Sequence, residues 1–431
     1  MIKVSLSKAV MIAVVCLLSI TLIARDIFSF SLNKFIYLGI CAIGIMLTDK
    51  NTFAQLMSFF FPLMCGLPGT YVLLLAVGRF VFFEGINKKI MLYFLFVILF
   101  EMVASVWYSV SLDSNMIHQM LALCTLFMML HNHDGLNYYQ CFKMYWFGTI
   151  IVAFVIVCST LINAPSDWLS LFAKGWFRFG DDALEGIQTM TLRLNANTLA
   201  YYSLVSTMFG LIMIDREKGI MKILVFLGTA FLMLSGILTV SRSWILITGG
   251  CLGLYLLSRM KDIRYIFASV LMVIVLLYAG SKLLELAPEL LSGFRTRMTD
   301  DTVSSGGGRF EHAVYYLKAM SENARVAFIG AGTTYYMSVL GTIYASHTGT
   351  IQVLVSYGII GSAIFFCGIL SPLRKKDGCK APLLYWLPFI ACVLFVQTIQ
   401  FINPAYLIYP YILTVYAVLE GRCSVRGNAI R

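Results

Sequence analysis

Long apolar segments alternate with short polar segments along nearly the whole chain. Each apolar segment has about 17–25 residues, which is the length that crosses the hydrocarbon core of a bilayer as an α-helix. The first segment follows Lys3 and Lys8 and has no small-residue cleavage site after it, which favours a retained helix over a signal peptide. The pattern predicts helices near residues 9–24, 33–48, 90–110, 116–131, 141–162, 196–214, 222–240, 243–258, 265–281, 347–370, 382–401 and 405–420.

One apolar run, residues 52–83, is interrupted by Pro62, Gly66, Pro68 and Gly69. Basic residues flank it on both sides, so the run has to cross out and return, either as two short spans or as a re-entrant hairpin. The total is about 14 spans in the first case and about 12 in the second. The predicted fold class is therefore an all-α polytopic membrane protein with about 12–14 transmembrane helices.

Two polar segments, residues 163–195 and 282–346, are too long to be simple turns. The second carries six basic and six acidic residues and divides the chain into membrane helices 1–281, a large outer loop, and C-terminal membrane helices with a tail, 347–431. Helical spacing of apolar residues within 310–320 predicts a short amphipathic helix on the loop, with its apolar face formed by Ala313, Val314, Leu317 and Met320.

The composition agrees with a membrane protein, because 60% of the residues are hydrophobic and only 12% are charged. The net charge of +11 comes from lysines and arginines in short linkers such as 216–222, 259–264 and 374–380, which is the pattern of cytoplasmic loops and not of a nucleic-acid surface. Both termini are then cytoplasmic and the two long loops lie outside. The eleven cysteines are scattered singly and predict neither disulfides nor a zinc site.

Three residues predicted at the outer face could carry chemistry. Arg242 lies between two apolar runs, where it either snorkels to the interface or binds an anion through its bidentate fork. Arg309 follows three glycines, which form either a flexible linker or a backbone approach to an anion at a helix N-terminus. His347 begins a span, where an imidazole can titrate, although a lone histidine is more often structural.

Glu101 is the one carboxylate deep inside an apolar run. An acid at this depth indicates either ion coupling, as in a transporter, or a hydrogen bond to a neighbouring helix. The sequence leaves both interpretations open.

Three segments, in order, resemble the core of the O-antigen ligase and polymerase superfamily: LTVSRSWIL, GGGRFEHAVYYLKAMSENARVAFIGAG and SHTGTIQVLVSYGIIGSAIFF. That superfamily has a Ser-Arg at the end of a span, a loop Arg that starts a helix, a Gly-x-Gly, and a His that opens a span ending Tyr-Gly-x-x-Gly. The upstream LRLNANTLAYYSL resembles its Asn-rich segment. The resemblance covers about residues 190–370, and Thr348 departs from it, since members usually carry Asn there.

The resemblance implies a metal-independent glycosyltransferase without a cofactor, whose donor is a glycan on undecaprenyl pyrophosphate. Arg242 and Arg309 would bind the pyrophosphate, and His347 would be the catalytic residue that takes the acceptor proton. Within the region of resemblance, the candidate substrate-binding residues are Arg193, Asn197, Glu311 and Tyr335.

The same resemblance implies a location in the bacterial inner membrane, with a chain-length regulator and a flippase as candidate partners. A polysaccharide polymerase is favoured over an O-antigen ligase because polymerases are the more numerous and divergent group. A secondary transporter or flippase is the alternative from a different class. It would show inverted repeats and helices broken at mid-membrane.

Overall fold

The structure is a computed structural model. It describes residues 5–30, 32–85, 88–109, 114–163, 178–179, 192, 194–259, 278, 288, 292, 295, 309–342, 346–374, 380–401 and 405–429. The predicted helix at 265–281 and the candidate residue Arg193 lie outside the described residues.

Helices are the only regular secondary structure in the described part of the chain. The N-terminal half forms α1 (Leu6–Asp26), α2 (Lys34–Leu47), α3 (Lys50–Leu63), α4 (Gly69–Arg79), α5 (Lys88–Trp107), α6 (Ser114–His131) and α7 (Tyr138–Asn163). The rest forms α8 (Ala196–Arg216), α9 (Gly219–Leu238), α10 (Arg242–Arg259), α11 (Arg309–Glu322), α12 (Ala324–Phe328), α13 (Tyr336–Val339), α14 (Gly349–Leu370), α15 (Leu383–Val396) and α16 (Tyr409–Ala429).

Six of these helices are long and apolar enough to cross a membrane: α1, α5, α7, α8, α9, and α14 with its one-turn extension to Arg374. They coincide with apolar segments that the sequence marks as spans. The chain is therefore built as a multi-pass, all-α membrane protein, as the hydropathy pattern predicts.

Helix ends meet at two opposite faces of the bundle. At one face α8, α10 and α14 begin, and we call it the His347 end. At the other, which we call the Arg374 end, α14 ends. There the Lys143 ammonium pairs with Glu217 at 2.7 Å, and the Arg216 guanidinium pairs with Glu420 at 2.5 Å.

The proline-interrupted run folds as a helical hairpin. Helix α3 begins at the Arg374 end, where Lys50 Nζ donates to Asn132 Oδ1 at 3.0 Å. The turn between α3 and α4 contains Gly66, whose carbonyl accepts a 2.8 Å hydrogen bond from Arg25 in the last turn of α1. Gly66 also packs against Leu192, just before α8, so the turn lies at the His347 end.

The buried centre of the bundle consists mainly of α3, α8 and α16. Polar contacts link neighbouring helices inside it, such as Trp244 Nε1 donating to Ser203 Oγ at 3.0 Å and Ser206 Oγ donating to Thr149 Oγ1 at 2.9 Å. Such bonds contribute on the order of 0.6 kcal/mol each in a membrane. In contrast, α1, α2, α5 and α9 carry large exposed apolar side chains, which suit contact with lipid.

The predicted loop helix exists as α11, and Met320, one of the four residues predicted for its apolar face, is buried. The side chains of Val314 and Leu317 are exposed, whereas Tyr316 and Met320 are buried. Tyr316 packs against Tyr336, with ring centroids 5.7 Å apart. Hydrophobicity alone did not single out Tyr316, whose aromatic ring one helical turn from Met320 offers a large contact area.

Candidate functional site

Helix α14 is broken near its middle at Gly358, where φ is 63° and ψ is −173°. This backbone conformation is open essentially only to glycine. The break would leave carbonyl groups of the preceding turn without helical partners. Instead, the Ala331 N–H donates to the Val355 carbonyl at 2.9 Å. The Gly332 N–H donates to the Ser356 carbonyl, also at 2.9 Å.

Residues 329–333, which we call the docked loop, therefore complete the backbone hydrogen bonding of α14. The two backbones approach too closely for side chains. A Cβ added to Gly330 would overlap the carbonyl of Ser356, and one added to Gly358 would overlap the carbonyl of Phe328. The Gly-x-Gly of the docked loop (residues 330–332) and the Tyr-Gly of α14 (residues 357–358) therefore pack directly against each other.

Alanine at Gly330 or at Gly358 should push the docked loop away from α14. We expect Gly358→Ala and Gly330→Ala each to lower the midpoint of thermal unfolding in detergent, at a cost of several kcal/mol, since backbone strain costs about 1–3 kcal/mol and overpacking about as much again. Gly249→Ala in α10 is the matched control, because its Cβ would meet open space. Equal losses at all three positions would contradict a specific contact.

Glu101 joins α5 to the docked loop. It is 2% exposed, and its Oε2 accepts a 3.3 Å hydrogen bond from the Thr333 N–H. The hydroxyl of Tyr357 lies beside the same carboxyl group. Of the two interpretations open at the sequence level, the structure contains the hydrogen bond to a neighbouring element.

The chain before α14 is fixed by two buried side chains. The Tyr336 hydroxyl accepts a 3.1 Å hydrogen bond from the Ser346 N–H. The Gln352 side chain, which interacts with the same hydroxyl, accepts a 2.6 Å bond from the Phe401 N–H. Because His347 directly follows Ser346, these contacts fix the backbone position from which the His347 side chain extends.

His347 is exposed, and its ring lies 6.5 Å from the ring of His312 between centroids. The surrounding protein removes part of the water around the imidazole, and Arg309 and His312 act on it electrostatically as well. These effects, with lost hydration the largest, lower the pKa of His347 below its ordinary range. At neutral pH the ring is therefore uncharged and able to accept a proton.

Arg309 is the first residue of α11, at the position the sequence predicts for it, and it is half-buried. Burial and the charge of Arg242 lower the pKa of Arg309. The guanidinium stays protonated, because its ordinary pKa lies far above neutrality. Arg309 and His312 stand one turn apart on α11, and the ring of His312 lies 6.5 Å from that of His347. The fold thus brings together Arg242, Arg309, His312 and His347, which we call the cationic cluster.

Arg242 is the first residue of α10, so both arginines of the cationic cluster stand at helix N-termini. The turn before it is strained: Val240 has φ of 49°, which is rare for a β-branched residue. A conformation of this kind costs about 1–3 kcal/mol and persists where the surrounding structure enforces it. Here it directs the chain from α9 into α10.

The sequence did not single out Arg178, which anchors the same turn. Its Nε donates to the Thr239 carbonyl at 2.8 Å, and its Nη2 donates to Asn197 Oδ1 at 2.9 Å. Asn197 was a candidate substrate-binding residue, and it is bound to Arg178 at the start of α8. The only available signal was an arginine among aromatic residues in WFRFGDD.

The other candidate residues are placed less centrally. Glu311 is exposed in the first turn of α11, where its negative charge stabilises the helix N-terminus. Tyr335 is half-buried and precedes α13. Its neighbour Tyr336, which the sequence analysis did not single out, makes the contact that fixes the start of α14.

The cationic cluster combines two permanent positive charges, two helix N-termini and a neutral imidazole within one region. This arrangement can bind an anion with several oxygens and accept a proton next to it. Among the described residues, no group of three or more His, Cys, Asp or Glu side chains could hold a metal ion.

Comparison of the chain with family models, with curated proteins and with solved structures yields no match. The classification therefore rests on the molecule itself: an all-α, multi-pass membrane protein with a cationic cluster at one end of its bundle.

Proposed function

We propose that the protein is a polysaccharide polymerase, a glycosyltransferase that moves a glycan from undecaprenyl pyrophosphate to a sugar hydroxyl of another lipid-linked repeat unit. The observation that carries the proposal is that residues distant in sequence meet in one region, since Arg309 and His312 stand one turn apart on α11 and the His312 ring lies 6.5 Å from the His347 ring. The charge of Arg242 acts on Arg309, and the charge of Arg309 acts on His347. These are the three residues for which the sequence resemblance implies catalysis.

The proposed step breaks the bond between the anomeric carbon of the donor and a pyrophosphate oxygen. A new bond forms between that carbon and the acceptor hydroxyl oxygen. The hydroxyl proton passes to the His347 imidazole and then to water, and undecaprenyl pyrophosphate leaves. Arg242 and Arg309 stabilise the negative charge that develops on the leaving group, aided by the N-termini of α10 and α11.

A deletion strain tests the proposal and separates it from the related ligase reaction. We expect a polymerase deletion to leave single repeat units, attached to their acceptor, in place of long chains. Full-length chains that accumulate on the lipid carrier would identify a ligase instead. An unchanged glycan profile, with the gene's expression in the parent strain verified, would contradict both.

One observation favours a secondary transporter, because α14 is broken beside a buried acid, Glu101. In transporters, the carbonyl groups freed by such a break and the acid coordinate an ion. Here the freed carbonyls of Val355 and Ser356 accept hydrogen bonds from the docked loop, as does Glu101. The break therefore fits a docking site better than an ion site.

The proposed reaction requires the His347 end to face away from the cytoplasm, at the inner membrane of a bacterium, with both termini cytoplasmic. In a cysteine-free background, we expect Glu311→Cys to react with an impermeant maleimide in spheroplasts. Lys222→Cys, in α9 towards the Arg374 end, should react only after lysis. Both positions are exposed, so they form a matched pair. The reverse labelling pattern would overturn the orientation.

The same proposal names the partners. The donor and acceptor are undecaprenyl-pyrophosphate-linked oligosaccharides, and the bilayer surrounds the bundle. A flippase that delivers the donor and a regulator of chain length are the proteins with which such a polymerase would work.

A further inference from the structure

A second cationic region lies at the Arg374 end, opposite the cationic cluster. It is a cavity of about 550 Å³ between the start of α5, the end of α6 and the end of α14. The side chains of Lys88, Lys89, His131, His133 and Arg374 line it. A volume of this size accommodates a small molecule or a lipid headgroup.

Among the described residues, the cations that line this cavity outnumber the carboxylates. In the described part of the chain, Lys88, Lys89 and Arg374 are not paired with a carboxylate. The one acidic residue on the wall, Asp134, has its side chain 80% exposed and lies 3.9 Å from the His133 imidazole. Three like charges around one concavity repel each other, and an anion relieves that repulsion.

Other basic residues at the same end behave differently. Lys143 pairs with Glu217, and Arg216 pairs with Glu420. What distinguishes the cavity is that three cations line one concavity, whereas Lys218 and Lys222 at the same end do not line it. One side chain in the cavity wall is held in place by stacking, because the His131 ring lies on the Tyr93 ring with centroids 4.5 Å apart and planes 10° apart.

The position of the cavity relative to the spans indicates what kind of anion would enter it. One candidate span begins at Lys88 and another ends at Arg374, so these cations stand at the edge of the hydrocarbon. Lipid phosphates lie at the same depth. Next to Lys88, on the same face of α5, Leu92, Leu95 and Leu99 are exposed and offer an apolar surface for acyl chains.

We propose that this cavity binds the phosphate of an anionic phospholipid from the adjacent leaflet. The headgroup phosphate sits among Lys88, Lys89 and Arg374, and the acyl chains lie along the exposed face of α5. A soluble phosphate is also an anion, but it has no acyl chains to contact that apolar face. Basic pockets between membrane helices recognise anionic headgroups in this way.

The test compares wild-type protein with two charge-matched double variants in delipidated detergent solution. Lys89→Gln with Arg374→Gln alters the cavity. Lys218→Gln with Lys222→Gln removes two exposed cations elsewhere at the same end of the bundle. Binding of phosphatidylglycerol, phosphatidylcholine and inorganic phosphate is measured by native mass spectrometry and by the shift in the unfolding midpoint.

We expect wild-type and control proteins to bind phosphatidylglycerol in preference to phosphatidylcholine. The cavity variant should bind phosphatidylglycerol about 10- to 30-fold more weakly, since each cation near an anionic surface contributes about one factor of five. Equal weakening in the control variant would mean general charge attraction and would overturn the site. Stabilisation by inorganic phosphate as strong as by the lipid would overturn the lipid as its ligand.

The wild-type preference is measured without any substitution, so the proposal stays testable if a variant folds poorly. Its outcome is also independent of the proposed polymerase activity. A protein inactive in glycan transfer could still bind the lipid, and an active one could fail to.

Discussion

Chain formation is expected to fall about 10²–10⁴-fold when His347 is replaced by alanine or by glutamine, with the protein still folded in the membrane. This range is the typical contribution of a general base. Glutamine keeps a hydrogen-bonding side chain of similar length, so it separates proton transfer from positioning. The measurement is the rate of polymer formation by purified protein in vesicles that contain lipid-linked repeat units.

The pH dependence gives a second readout for His347. Lost hydration, with smaller contributions from Arg309 and His312, lowers the pKa of its imidazole, so the neutral, proton-accepting form persists below the ordinary histidine range. Activity should therefore hold through neutrality and fall only as the pH drops through that lowered value. The Arg309→Gln substitution removes the nearby charge and should raise the pKa of His347, so that activity falls at a higher pH. The absolute rate of this variant should also be much lower.

His118→Gln is the matched control, because His118 lies near the start of α6 and bonds to Thr70 Oγ1 at 2.9 Å. It should leave the rate nearly unchanged. A fully active His347→Gln protein would reduce the role of this residue to positioning the acceptor. If activity falls at the same acidic pH in Arg309→Gln as in the wild type, a group other than His347 is responsible for that fall.

The membrane helices could be predicted because a span needs a long apolar run, and hydropathy reports that directly. The break in α14 could not. Gly358 lies in VSYGIIG, which looks like an uninterrupted apolar helix, and the break exists because the docked loop supplies the missing hydrogen bonds. The bond between Glu101 and the Thr333 N–H joins residues 232 positions apart, so local pattern contains no trace of it.

The residues of the candidate site also fall into those that the sequence predicts and those that only the fold reveals. Arg242 and His347 could be selected because each stands next to an apolar run, where a charged or titratable side chain needs a reason. Arg309 could be selected because it follows three glycines and opens a predicted helix. Arg178 and Tyr336 could not, since their importance lies in the bonds to Thr239 and Ser346 that only the folded chain makes. Residue type therefore predicts candidate chemical groups, and tertiary contacts reveal the residues that hold them in place.

The arginines of the cationic cluster should not tolerate lysine. We expect Arg242→Lys and Arg309→Lys each to lower the rate about 10²–10³-fold, the usual loss for one preorganised donor at a developing charge. Lysine keeps the positive charge but cannot offer the planar bidentate fork that matches pyrophosphate oxygens. At position 309, the burial and the Arg242 charge that lower the pKa of the arginine would act on the lysine as well, and its ordinary pKa is closer to neutrality.

The control for both substitutions lies on the same helix as Arg242. Helix α10 starts at Arg242 and ends at Arg259, so Arg259→Lys changes the same residue type at the opposite end of one helix. With expression and unfolding midpoints equal, it should retain nearly full activity. Comparable losses at 242, 259 and 309 would mean that the protein tolerates no arginine replacement, and the pyrophosphate site would lose its support. A loss that lower pH partly restores in Arg309→Lys alone would instead identify the charge of the guanidinium, and not its shape, as what the reaction needs at that position.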